Sequence, residues 1–593
     1  MLRKLPLLVL LALTAALLGL LLIPAAASPG VTTRVSVPNL ADQPTLGTEG
    51  NAGSLIPAIT ADGRFVAFHS LASNLVLGDT NNVADVFILD RQTGTTERVS
   101  LASNGTEGDF QSLFPSISDD GRYVAFHSQA SNLGPGDSSV FPLEDVFVHD
   151  RLTGATIPIS VGTSGNMCNC FSLNPSISAD GRFVAFKSDA WLLGVDPNLE
   201  DDVYVHDRDT DEDGIFDEPE AVATTRVSVD SAGVQGDDSS TRPAISADGR
   251  FVAFASVASN LVVGDTNNTC LGGTSCTDIF VHDRQTGATT RVSVDSAGNQ
   301  GSCVFPVCIA GSDRPAISAD GRIVAFESRF PDLVTGDTNN SADVFVHDRQ
   351  TGATTRISVD SAGNQGHGPN LGPSVSGDGR FVAFYSTDDF VPGGLDWNVF
   401  VHDRQTGQTS RVSEDSAGNP GNDLSANPAV SGDGRFVAFD SDASNLVASD
   451  SNGVADVFTH DQDDSDGIEW NLDACPANPD CDADGFLDGS EIFVGTLPLV
   501  ACPTTGRHDG IDNDGDTATD EPGEGANDED PDPWPPDADD DQDADIGDVI
   551  ILFSGKVLNP PAYVRRSDFD ADGNIDIGDV IIAFGGTILT SCS

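Results

Sequence analysis

Aspartates recur at every second position in several stretches of this chain, a spacing that suits a hard divalent cation. Ca²⁺ prefers several oxygen ligands, and a twelve-residue loop supplies them from places one, three, five, seven, nine and twelve, with glycine at six for a sharp bend. The stretch from His206 to Ser228 fits this pattern at Asp209, Asp211, Asp213, Gly214, Asp217 and Glu220, and Ile215 offers the place-seven carbonyl. Elsewhere the same passage is the shorter "HDRQTGATTRVS", as from His282 to Ser293, so this copy has gained an acidic insert. The pattern returns at Asp480, Asp482, Asp484, Asp488 and Glu491, and in part at Asp512, Asp514, Asp516 and Asp520. It returns again at Asp537, Asp539, Asp541, Asp545 and Asp548, and at Asp568, Asp570, Asp572, Asn574, Asp576 and Asp579. We read all five as Ca²⁺ loops, which makes Ca²⁺ the expected cofactor. The "GDTNN" loops are a weaker case. Asp79, Asn81 and Asp85, and likewise Asp337, Asn339 and Asp343, could hold a cation or cap an Asx-turn, and the turn is the preferred reading.

The elements that must position these loops are repeats. "PAISADGRFVAF" and its variants begin at Pro57, Pro115, Pro175, Pro243, Pro315, Pro373 and Pro428, each followed by "DVFVHDRQTG" and "ATTRVS". Each copy predicts four short strands: "PAIS", "RFVAFxS", "DVFVHD" and "TTRVS", with an Asp-Gly hairpin between the first two. The middle strands are apolar on both faces, which a sheet with one wet face would not be. Sheets stacked around a ring satisfy that pattern, and the fold class is all-β, a seven-bladed β-propeller. The seventh copy lacks "TTRVS", whereas "VTTRVSV" stands alone at Val31 to Val37, so the N-terminal strand is expected to close the ring.

One face of such a ring carries short turns, and the other carries long, varied loops that hold Cys168, Cys170, Cys270, Cys276, Cys303 and Cys308, as well as Trp191 and Trp397. Ligand binding is expected on that second face, for a glycan or a protein. Six copies place a histidine at one position, His149, His206, His282, His347, His402 and His460, with Leu89 in the first. One per blade is too dispersed to share a metal, so a repeated structural hydrogen bond is expected.

The chain has 92 Asp+Glu against 29 Lys+Arg, a formal net charge of -63, which leaves no basic footprint for nucleic acid. It opens with Arg3 and Lys4, a long apolar run and Ala25–Ala27, the pattern of a secretory signal peptide over residues 1–27. Retention of that run as an anchor is the alternative. After cleavage no membrane span is expected, and the chain is expected to be secreted or held at the cell surface. Ten cysteines fit disulfides in an oxidising compartment; Cys270/Cys276, Cys303/Cys308 and Cys475/Cys481 are close enough to staple single loops.

"SADGRFVAF" and "DVFVHDRQTG" resemble TolB-type, WD-repeat-like propeller repeats over residues 31–462. "CPANPDCDADGFLDGSE", in an acidic linker over residues 463–530, resembles thrombospondin type-3 calcium repeats. Residues 531–593 hold two loop–helix units ending in "GDVIILFSG" and "GDVIIAFGG", and resemble a dockerin domain. That resemblance implies a small α-helical module that binds Ca²⁺ and docks to a cohesin-like protein. The chain departs from the family at Gln542, Ala544, Ile546-Gly547 and Ile577-Gly578. No G-x-S-x-G elbow and no acid–base carboxylate pair stand out, so no catalytic residue is assigned. The expected function is a secreted, Ca²⁺-binding propeller that serves as a binding or scaffold protein, with a C-terminal module for attachment. A polysaccharide-acting enzyme or accessory subunit, with its site on the long-loop face, is the alternative.

Overall fold

The computed structural model describes residues 30–463, apart from short stretches at 40, 42–45, 135–142, 163–166, 168–169, 190–191, 195, 197, 219, 268–275, 303–310 and 395–396. Its strands β1–β28 form seven four-stranded antiparallel sheets. The first sheet is typical: β2 (Ser54–Ile59), β3 (Phe65–Ser70), β4 (Asp85–Asp90) and β5 (Thr95–Arg98) pair in chain order. The last sheet has the order β1 (Val31–Arg34), β28 (Asp456–Asp461), β27 (Phe436–Ser441), β26 (Ser425–Val430), so the N-terminal strand completes the seventh blade as expected. Val31 lies opposite Asp461 and Arg34 opposite Phe458.

The doubly apolar strands are buried on both faces because each blade packs against the next. All six residues of β4 are buried. Val203 and Val205 of the third blade share a core with Val252, Phe254 and Phe280 of the fourth. Val66, Phe68 and Phe87 of the first blade share one with Ala438 and Val457 of the seventh, and Val35 sits in the same cluster. Within a blade, a pair of aromatics faces across the two middle strands, as with Phe254 and Phe280 at 5.9 Å.

The first strand of each blade differs from the expected "PAIS". It starts three residues earlier and carries a bulge, so β2 slips register between Leu55 and Ala58. The unpaired residue precedes the proline, which cannot donate to the ladder. No α-helix occurs among the described residues. The leader, the acidic linker with Asp480 to Asp520, and the dockerin-like module with Asp537 to Asp579 lie outside them.

Candidate functional site

The acidic insert joins the third and fourth strands of the third blade, after Asp207 and before Ala223. It brings Asp209, Asp211 and Asp213 together, with one carboxylate oxygen of each within 4.8 Å of the others, close enough to hold a metal ion. Asp209 is buried and accepts the backbone N–H groups of Asp213 at 3.2 Å and Gly214 at 3.0 Å. Asp217 does not join them. The Arg208 guanidinium takes both of its oxygens, at 2.9 and 2.5 Å. Ile215 and Glu220 are exposed. Phe216 anchors the loop against Tyr123 of the second blade, 5.4 Å between ring centroids.

In the "GDTNN" loops the cation is an arginine of the chain itself. Arg98 Nη1 lies 3.3 Å from Asp79, 3.2 Å from Asp85 and 2.9 Å from Glu107. Asn81 Oδ1 accepts the Val83 N–H, the Asx-turn that was expected, and its amide donates to Asp85. Arg356 repeats the arrangement with Asp337 and Asp343, and Arg34 repeats it with Glu49, Asp450 and Asp456.

The repeated histidines are structural. In His282, Nδ1 meets Thr289 Oγ1 at 2.9 Å, and that hydroxyl donates at 2.5 Å to the Val229 carbonyl of the preceding blade. His149, His206, His347 and His402 make the same bond to a threonine of the fourth strand, and His460 makes it to Thr32 of β1. Because the threonine proton goes to the carbonyl, the imidazole must donate from Nδ1. Burial pushes His149, His206, His402 and His460 down to about 4. An unfolded histidine titrates at about 6.5. The stability from these neutral rings is therefore present above that value and is lost as pH falls from it toward 4. Histidine-labelled NMR should show the Nδ1-protonated tautomer unchanged between pH 7 and about 5. An Nε2-protonated tautomer would contradict the relay, and protonation near the unfolded value would contradict the burial that holds the rings neutral.

A second constellation went unrecognised in the sequence. The bulge residue before each proline is turned toward the ring axis, where Ile56, Phe114, Asn174, Arg242, Arg314, Gly372 and Asn427 line a cavity of about 520 Å³ with their seven prolines. Six of the seven are non-glycine residues held at φ between 50 and 54°, and Gly372 is at 59°. Left-handed backbone is unfavourable for L-residues, most of all for a β-branched one such as Ile56, so the surrounding ring must over-determine it. The signal was present in the repeat. "PAISADGR" hardly changes between copies, whereas the residue before its proline changes in nearly every copy.

In several blades the penultimate residue of the second strand supports this rim. Asp440 accepts the Ile56 N–H at 3.0 Å and the Asn427 amide at 3.0 Å, and burial pushes its carboxyl up to about 6. Glu327 accepts the Gly372 N–H at 2.8 Å. The Phe114 ring is clamped between His69 and His127, with centroids 5.9 and 5.2 Å away. The first strand runs in from the long-loop face and the second runs out to it. Cys170 and Cys276, which flank long loops there, are both disulfide-bonded.

No family model matches the chain. No curated protein matches it. Solved structures similar to it include a putative TolB from Agrobacterium tumefaciens, at 15% identity and a TM-score of 0.32, covering 61% of this chain and 88% of that one. An oligogalacturonate lyase from Vibrio parahaemolyticus is similar at 13% identity and a TM-score of 0.41, covering 73% and 98%. The β-propeller domain of the Trilobed protease from Pyrococcus furiosus is similar at 12% identity and a TM-score of 0.40, covering 69% and 95%. None of these likenesses carries an activity to this chain. Its strand order makes it a seven-bladed β-propeller, and the solved structures similar to it include TolB-type propellers.

Proposed function

We propose that the chain is an exported, Ca²⁺-stabilised binding scaffold that takes its ligand at the axial mouth and attaches elsewhere through its acidic C-terminal module. One observation carries the binding reading. The residue before each proline, which differs between otherwise repeated strands, converges from all seven blades on a single cavity, as expected of a recognition site on a rigid frame. Export is supported by the signal-like leader and by the disulfides at Cys170 and Cys276. Ca²⁺ is supported by the Asp209, Asp211 and Asp213 cluster in a loop of matching spacing. Docking to a cohesin-like partner rests on the dockerin resemblance.

The test uses the full chain on glycan and peptide arrays, with calorimetric Ca²⁺ titration alongside. Binding without release of reducing ends is expected; product release would replace the scaffold reading with an enzymatic one. Asp213→Ala should remove one Ca²⁺ site and lower the melting midpoint. If neither EGTA nor this substitution moves thermal unfolding, the insert is not a structural metal loop.

A further inference from the structure

We propose that the axial mouth binds an organic carboxylate carried on a six-membered ring, with the carboxylate held by Arg242 and Arg314. The inference rests on the binding-scaffold reading and names its ligand chemistry.

Charge sets the sidedness of the cavity. In a chain of net charge -63, the charged side chains that line it are two arginines, on the adjacent fourth and fifth blades. The neighbouring carboxylates are engaged in its frame. Glu327 holds the Gly372 N–H, and Asp440 holds Ile56 and Asn427. Asp313 lies 3.4 Å from Arg242 Nε. Arg242 is thus paired with a carboxylate, whereas Arg314 has no carboxylate within 4 Å among the described residues, which leaves its guanidinium N–H groups for an anion.

Arg314 is positioned in advance. Its Nη1 donates to the Tyr385 hydroxyl at 2.7 Å, and the Tyr385 ring packs on Trp397 at 5.3 Å. The fit requires Gly372, because a Cβ there would come within 2.5 Å of Tyr385 Cε1 and 3.6 Å of Arg314 Nη1. Two guanidinium forks on adjacent blades suit a planar carboxylate better than a point cation would.

The opposite arc is apolar. Ile56 and Phe114 stand on the first and second blades, and Phe114 is 38% exposed although both ring faces are flanked by histidines. Its exposed edge and the proline rings offer a surface for a ring body, and Asn174 and Asn427 add amides beside it. A cavity of about 520 Å³ lies within the ~300–1,000 Å³ typical of small-molecule sites. Cyclic acids of two kinds meet this description, arene carboxylates and sugar acids.

The experiment titrates the full-length protein calorimetrically with benzoate, cyclohexanecarboxylate and D-glucuronate, using benzyl alcohol, D-glucose and inorganic phosphate as controls. At least one carboxylate should bind about tenfold tighter than its uncharged counterpart, and Arg314→Gln should erase that difference. Tyr385→Phe should weaken binding without moving the melting midpoint, because it only frees the guanidinium. Preference for benzoate or for glucuronate identifies the source of the ligand; either supports the site. Phosphate bound as tightly as the carboxylates overturns it, as does carboxylate binding unchanged in the Arg242→Gln/Arg314→Gln variant. Absence of binding by every carboxylate also overturns it. If array ligands still bind under those outcomes, only this inference fails and the scaffold reading stands.

Discussion

A chain that lacks residues 30–38 should melt far below the intact protein and self-associate through its last blade. The strand β1 contributes more than a ladder. Thr32 closes the relay to His460 and reaches the Glu414 carbonyl at 2.5 Å, which ties the seventh blade to the sixth. The Ser36 hydroxyl donates to Asp456 at 2.5 Å, and Val35 fills the core between the seventh and first blades. Arg34, with a side chain only 6% exposed, serves Glu49, Asp450 and Asp456 at 2.8, 3.4 and 3.5 Å. Its loss alone leaves buried carboxylates without their cation, a change that costs roughly 3–5 kcal/mol. Deletion also bares the edge of β28, which offers a ready template for another chain. Thermal unfolding and light scattering of the deletion variant are the measurements. A monomer that melts within a few degrees of the intact protein would show that the ring does not depend on its latch.

The second large effect is expected at the seam between the third and fourth blades. Gly249 adopts φ +69°, and a Cβ there would lie 2.0 Å from Phe183 Cδ2. Phe183 cannot retreat easily. Arg182 covers it at 4.6 Å and Arg284 at 4.3 Å, and Arg284 also donates to the Gly249 carbonyl at 2.6 Å. Gly249→Ala therefore combines a left-handed alanine with overpacking, together about 2–4 kcal/mol. Gly287 is the control, since it has φ +74° and nothing within 4 Å of its added Cβ. Gly287→Ala should cost only the backbone part, about 1–2 kcal/mol. Urea unfolding of the two variants compares them, and equal losses would mean that the seam is softer than its packing indicates.

The repeat was legible because strand and turn preferences are local. A doubly apolar strand and an Asp-Gly turn are each specified within a few residues, and seven copies establish the period. Closure by β1 was legible for the same reason: a fourth strand missing at one end was present at the other. The structural role of the histidines followed from counting one per blade. The acidic insert was legible as a spacing of oxygens, but not in its partners. Arg208 sits just before the loop, yet only the folded loop brings its guanidinium to both oxygens of Asp217.

The chain by itself determined the number of blades, the latch and the position of the acidic insert in the third blade, because short-range periodicity encodes all three. Only the tertiary structure decided what meets at the axis. Arg242 and Arg314 are 72 residues apart, and Phe114 is farther still from both. They share one cavity because closing the ring turns the bulge of every first strand toward the centre. No local rule brings those side chains together; the circular stacking of the blades does.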